Sequence, residues 1–130
     1  LGFNPKNLDL AYYQRDTAMS QSYAERIGKE AKESEVVMEE KSLTLEEILV
    51  KVTNRSLPIL LVDLAILKSR RDLGYVGHFV VLVGSDEGHV YIHNPNLKTE
   101  EAFYKIERAL FEEARKAQGT DEDIVIIEKK

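Results

Sequence analysis

An α+β fold, helices packed on a mostly antiparallel sheet of four or five strands, is what this 130-residue sequence predicts. Two apolar runs, Ile59 to Asp63 and His78 to Gly84, are short, bounded by turn formers and rich in Val, Ile and Phe, as strands are. The second run is followed by Ser85-Asp86-Glu87-Gly88, which has turn chemistry, and then by a returning strand from His89 to His93. Helices precede and flank these strands, which sets the class.

In chain order, the first residues (to about residue 15, with Gly2, Pro5 and Asn7) read as an irregular lead-in. A polar helix follows from about Ser20 to Lys32, with Asp16 or Thr17 near its start. Glu35 to Glu39 reads as a short strand around Val36 and Val37. Thr44 with Glu47 three residues on is a capping box: the hydroxyl accepts from a first-turn amide while the carboxylate reaches back. Leu45, Ile48, Leu49 and Val52 recur at helical spacing and form that helix's buried face. Pro58 opens the strand Ile59 to Asp63, whose unbroken apolar run predicts burial on both faces. Residues 64–76 form a charged connection to the hairpin. A helix from about Lys98 to Gln118 ends at Gly119, and Ile124 to Glu128 is the last strand. No repeat, low-complexity segment or linker divides the chain, so residues 1–130 read as one domain.

Composition narrows the function classes. Apolar residues make up 43% and charged residues 32%, ordinary for a globular domain, and the net charge is -5. No basic stripe interleaved with aromatics is present, which argues against nucleic acid as a partner. The longest apolar run, Leu57 to Leu67, is interrupted by Asp63 and too short to cross a bilayer, so no membrane role is expected. No signal-peptide pattern opens the sequence, and a cytoplasmic location is the expectation. Cysteine is absent, which removes disulfides, thiolate metal sites and any thiol nucleophile within these residues.

The candidate site is His78 with Asn94. If residues 85–88 form a type I turn with Gly88 in the left-handed bulge position, Gly84 pairs with Val90, Val80 with Asn94 and His78 with Asn96. His78, Val80 and Asn94 then share a face. The two polar side chains become diagonal neighbours, roughly 7–8 Å apart at the backbone and within reach of one another. Pro95 biases Asn94 toward an extended conformation. A histidine serving as general base needs one tautomer held, and a carboxamide oxygen can hold it. On geometry alone such a pair is more often structural than catalytic, so spacing leaves both readings open. His89 and His93 stand about 13 Å apart along one strand and cannot share a metal ion; both read as surface residues. Asp63 reads as a helix or turn cap, and Lys68-Arg70-Arg71 and Glu100-Glu101 as solvated faces. With no glycine-rich phosphate loop and no carboxylate pair suited to metal, neither cofactor nor metal is expected.

Residues 74–95, GYVGHFVVLVGSDEGHVYIHNP, resemble the histidine segment of the papain-like clan, nearest the double-glycine leader peptidases: a Gly-His-aromatic-Val-Val strand, a turn, and a strand ending in Asp-Pro or Asn-Pro. The resemblance implies His78 as catalytic histidine and Asn94 as third member, where the leader peptidases usually carry aspartate. Residues 114–127, ARKAQGTDEDIVII, are similar to the C-terminal signature of the guanylyl-cyclase-like family of plants and animals, which also has a Gly-His-aromatic strand and an Asn-Pro ending. LPILLVDLAIL at 57–67 and the order of elements from Tyr12 to Leu49 extend that likeness over nearly the whole chain. Members carry a further N-terminal stretch with the Gln and Cys-Gly of a papain-like nucleophile, absent from these residues, and often cysteines where Lys68-Ser69-Arg70 stand. The implied function is a papain-like cysteine-peptidase half acting on a peptide or small acyl substrate, its cysteine supplied by an upstream segment, and inactive without it. A pseudoenzyme binding a peptide or partner is the alternative; a nucleotide cyclase, as the family name implies, is the second. Gly119 to Asp123 is expected to be structural, with Thr120, Asp121 and Asp123 in capping and turn bonds.

Overall fold

The computed structural model describes residues 22, 25–95 and 101–130 (for Glu101, its backbone). The chain divides into two compact units, Leu1–Ser42 and Leu43–Lys130.

In the first unit, residues 25–32 form helix α1, as the sequence predicts. It closes on Ser34, whose hydroxyl donates to the Ala31 carbonyl at 2.9 Å. The lead-in and the helix start near Asp16 and Thr17 lie outside the described residues. Residues 36–40 are irregular rather than a strand. Val36, Val37 and Met38 are all exposed, Val37 at 81%. Among the described residues no strand pairs with this apolar triplet, and an unpaired segment gains little from extension.

The second unit is a five-stranded antiparallel sheet with helices on one face. Its elements are α2 (Leu45–Leu49), β1 (Ser56–Asp63), α3 (Leu64–Leu67), a 3-10 turn at Arg71–Leu73, β2 (Gly77–Ser85), β3 (His89–Asn94), β4 (Glu101–Glu107), α4 (Arg108–Arg115) and β5 (Ile124–Glu128). Strand order is β4-β3-β2-β1-β5. The α+β class and the antiparallel sheet are as the sequence predicts.

The capping box forms: Thr44 Oγ1 accepts from Glu47 N at 3.2 Å and Glu47 Oε2 from Thr44 N at 2.8 Å. This starts α2, whose Leu45 and Ile48 enter the core. The core joins them to Leu60 and Val62 of β1, Val80 and Leu82 of β2, Val90 and Ile92 of β3, Ile106 of β4, and Phe111 and Ala114 of α4. Every second residue of each strand thus faces the helices.

β1 departs from the expected burial on both faces. Pro58, Leu60 and Val62 are buried, whereas Ile59 and Leu61 are half-buried. Helices α2, α3 and α4 of this unit lie on one face, so an antiparallel strand here has one dry side.

The largest correction concerns residues 101–107. The sequence reads as one helix from about Lys98; its start lies outside the described residues, and β4 occupies Glu101–Glu107 before α4 begins. Glu, Ala and Lys suggest a helix, but Tyr104 and Ile106 alternate onto the core side and pair with Ile92 and Val90. The free edge of β3 overrides local helix propensity.

Candidate functional site

Hairpin β2–β3 places the candidate pair. Val81 pairs with His93 and Leu82 with Ile92, and continuing that register sets Val80 across from Asn94, as the sequence geometry requires. Nearer the turn the register differs: Gly84 pairs with Tyr91, not Val90, and Ser85 with Val90. The irregularity falls between Leu82 and Gly84, while Gly88 does not adopt a positive φ. The extra residue is therefore absorbed inside β2, and a tight Glu87-Gly88 connection, closed by Asp86 N donating to His89 O at 3.0 Å, replaces the expected bulged turn. The predicted pairing of His78 with Asn96 lies outside the described residues.

His78 and Asn94 meet. Nε2 of His78 lies 2.6 Å from Oδ1 of Asn94. Since a carboxamide oxygen only accepts, Nε2 carries the hydrogen and donates, and the neutral ring keeps its lone pair on Nδ1. Asn94 is 3% exposed, at the end of the buried row Val90-Ile92-Asn94. His78 is half-buried, across from Val62 and in line with buried Val80 and Leu82. One residue is locked into the core and the other stands at its rim.

Two further side chains, those of Asp63 and Tyr75, hold the start of β2, and neither was singled out for this from the sequence. Asp63 caps α3 by accepting from Ala65 N at 3.0 Å, and the same Oδ1 accepts from Val76 N at 3.1 Å. It is a cap, as expected, but one that also pins the residue two before His78. Tyr75 donates its hydroxyl to Gly119 O at 2.9 Å, and its ring lies over Gly77 so closely that a Cβ there would meet the phenol oxygen at 2.5 Å. The Gly-His dipeptide thus has a steric reason, and its signal in the sequence is a tyrosine two residues before the glycine.

The other polar groups have structural partners. Asp86 is the hub of the hairpin turn, accepting from Tyr91 Oη at 2.7 Å, Gly88 N at 3.0 Å and His89 N at 2.8 Å. The Tyr91 hydroxyl, then the two amides, hold this carboxyl well below the usual range, and Asp86 in turn raises Tyr91. His89 Nδ1 lies 3.2 Å from the same carboxylate. His93 Nδ1 accepts from Phe103 N at 3.1 Å, and the two rings meet edge to face at 4.7 Å. In the Lys68-Arg70-Arg71 cluster Arg70 and Arg71 are exposed, as the sequence predicts, and paired with Asp72 at 2.9 Å and Glu113 at 2.7 Å, while half-buried Lys68 sets Nζ 4.3 Å over the Tyr104 ring. The side chains of Glu100 and Glu101 lie outside the described residues.

The segment from Gly119 is a structural knot. Gly119 takes a φ of 102° as α4 closes, and Thr120, fully buried, donates to Arg115 O at 2.7 Å and accepts from Glu122 N at 3.2 Å. Asp121 and Glu122 both hold positive φ, at 53° and 55°.

A family model described as guanylylate cyclase matches residues 1–127. The chain belongs to that family. Comparisons with curated proteins and with solved structures find no match. The family match spans the candidate pair and the Gly119–Asp123 knot together. Among the described residues no helix is long and apolar enough to cross a membrane.

Proposed function

We propose that this chain is the histidine-bearing part of a cysteine-peptidase-like hydrolase acting on a peptide or small acyl substrate. The observation that carries the reading is the 2.6 Å contact between His78 Nε2 and Asn94 Oδ1, which leaves the lone pair on Nδ1. In this mechanism Nδ1 takes the proton of a thiol that approaches the rim of the sheet. The thiolate attacks the substrate carbonyl, and Nδ1–H then protonates the leaving amine or alcohol. Water, deprotonated by the same nitrogen, releases the acyl group from sulfur. Asn94 supports the transient imidazolium by its dipole, less strongly than a carboxylate would. No cysteine occurs in these 130 residues, so the thiol belongs to a segment outside them.

The test is to express the reading frame extended upstream and treat it with a thiol-directed electrophile, with and without His78→Ala. Fast labelling that depends on His78 supports the hydrolase. Labelling that ignores the histidine assigns the pair to a binding role. An extended protein without a reactive cysteine, or turnover of a peptide or ester by the 130-residue chain alone, refutes the reading. The family description favours a second activity, cyclisation of GTP, which predicts cyclic GMP from magnesium and GTP in the same preparation.

A further inference from the structure

We infer that two copies of this chain join through β5, antiparallel about Ile126, to make one continuous sheet. The two ends of the sheet differ. At one edge, β4 carries Lys105, a positive φ of 52° at Phe103 and an irregular register against β3, devices that keep other strands from adding on. At the opposite edge, β5 pairs regularly with β1 from Ile124 to Glu128, and among the described residues no strand lies beyond it. No lysine, proline or bulge interrupts Ile-Val-Ile-Ile-Glu.

The hydrogen-bond parity decides which groups β5 offers. Leu61 N donates to Asp123 O at 3.0 Å and Lys129 N to Arg55 O at 2.6 Å. In an antiparallel pair these bonds recur at every second residue. The odd-numbered residues of β5 therefore bond inward to β1, and the backbone groups of Ile124, Ile126 and Glu128 point outward. Pro58 stands opposite Ile126, where a missing N–H is harmless.

Any antiparallel register whose paired numbers have an even sum sets outward groups against outward groups, and charge selects among these registers. About Ile126, Ile126 meets its own copy, Ile124 meets Glu128, Val125 meets Ile127, and Asp123 meets Lys129 of the other chain. About Glu128 the two Glu128 residues would stand face to face, and about Val125 Glu122 would meet Glu128; like charges opposite one another are unfavourable. Registers about Ile124 and Ile127 set no opposite charges across from each other, whereas the Ile126 register does so twice, through Asp123 and Lys129. The Ile126 register also continues one apolar surface. Val125 and Ile127, 40% and 57% exposed, project to the face away from the helices, beside Leu57, Ile59 and Val81, which line a groove there. In the pair these rows run on from one copy into the next.

Sedimentation of the 130-residue chain across micromolar to millimolar concentration is the test, with folding checked by circular dichroism. The parent is expected to dimerise. Asp123→Lys or Lys129→Asp alone should each weaken the dimer about tenfold, through two symmetric charge pairs, and the double exchange should restore it. Ile126→Pro, which deletes an outward N–H, should leave a monomer; if that variant fails to fold, the charge exchange decides. A parent monomeric at every concentration overturns the inference. So does a dimer indifferent to the charge reversals.

Discussion

His78 and Asn94 touch on a diagonal of the β2–β3 hairpin, His78 Nε2 lying 2.6 Å from Asn94 Oδ1, although Val80 is the residue the register sets across from Asn94. A side chain reaching along the sheet has to be held, and Asn94 is held by burial while Pro95 follows it. The contact makes Nε2 the protonated nitrogen.

The first prediction is therefore a tautomer. In a long-range proton–nitrogen spectrum at neutral pH, His78 should show a pyrrole-type Nε2 and an imine-type Nδ1. Asn94→Ala should relax it toward a mixture. The opposite tautomer in the parent would mean that the amide, not the oxygen, faces the ring, and would remove the base from the proposed site.

Asp86 predicts a pH dependence confined to acid. Its folded-state carboxyl is held below the usual range, chiefly by the Tyr91 hydroxyl and then by the amides of Gly88 and His89. A depressed carboxylate contributes stability that is present above the unfolded pKa, about 4, and lost as pH falls toward the folded value. Asp86→Asn should therefore be less stable than the parent at pH 7, and the difference should begin to shrink only as pH falls through about 4, continuing to narrow on further acidification. Parallel melting curves across that range would mean the hub contributes nothing.

How much of this was legible in the residues differs from element to element. The capping box at Thr44 and Glu47 is a local interaction and is read from four residues. The diagonal placement of His78 and Asn94 follows from strand parity, and it survives an error in the turn because the irregularity at Val83 compensates for it. β4 was not legible, because Glu101 to Glu107 has helical composition and its strand state is conferred by the edge of β3. Val36 and Val37 failed in the opposite sense, having strand composition and no partner strand among the described residues. The clamp of Asp63 on Val76 needs the fold, since it links residues 13 apart in sequence.

Arg115 should be the most sensitive charged residue of the fold. Its side chain is 1% exposed, paired with Glu112 and Glu122, and donates Nη2–H to Leu43 O at 3.0 Å. Removing one partner of a buried ion pair leaves the others uncompensated, at a typical cost of 3–5 kcal/mol; the glutamates here are partly solvated, which places Arg115→Met at about 3 kcal/mol. Arg115→Lys should recover only part of this, because an ammonium cannot span three acceptors in a plane. A lysine variant as stable as the parent in denaturant would show that charge alone suffices.

Thr120 carries the argument about the Gly119–Asp123 segment. Its hydroxyl, fully buried, donates to the carbonyls of Arg115 at 2.7 Å and Ala117 at 2.9 Å and accepts from the amide of Glu122 at 3.2 Å. These bonds close the end of α4 and hold Asp121 and Glu122 in the left-handed region, from which Glu122 reaches Arg115 and Asp123 O receives Leu61 N. Thr120→Val keeps the shape and removes the hydroxyl, whose one hydrogen is shared between the two carbonyls. The half-buried Glu122 amide and the Arg115 carbonyl lose it while Ala117 O keeps the Thr120 amide, so the loss should be about 2 kcal/mol. Thr120→Ser keeps the bonds and loses one methyl group, about 1 kcal/mol. The midpoint of urea unfolding should therefore fall in the order parent, Ser, Val, with the slope unchanged. Were the valine variant as stable as the serine one, the hydroxyl would be dispensable, and a functional rather than structural reason would be needed for the threonine.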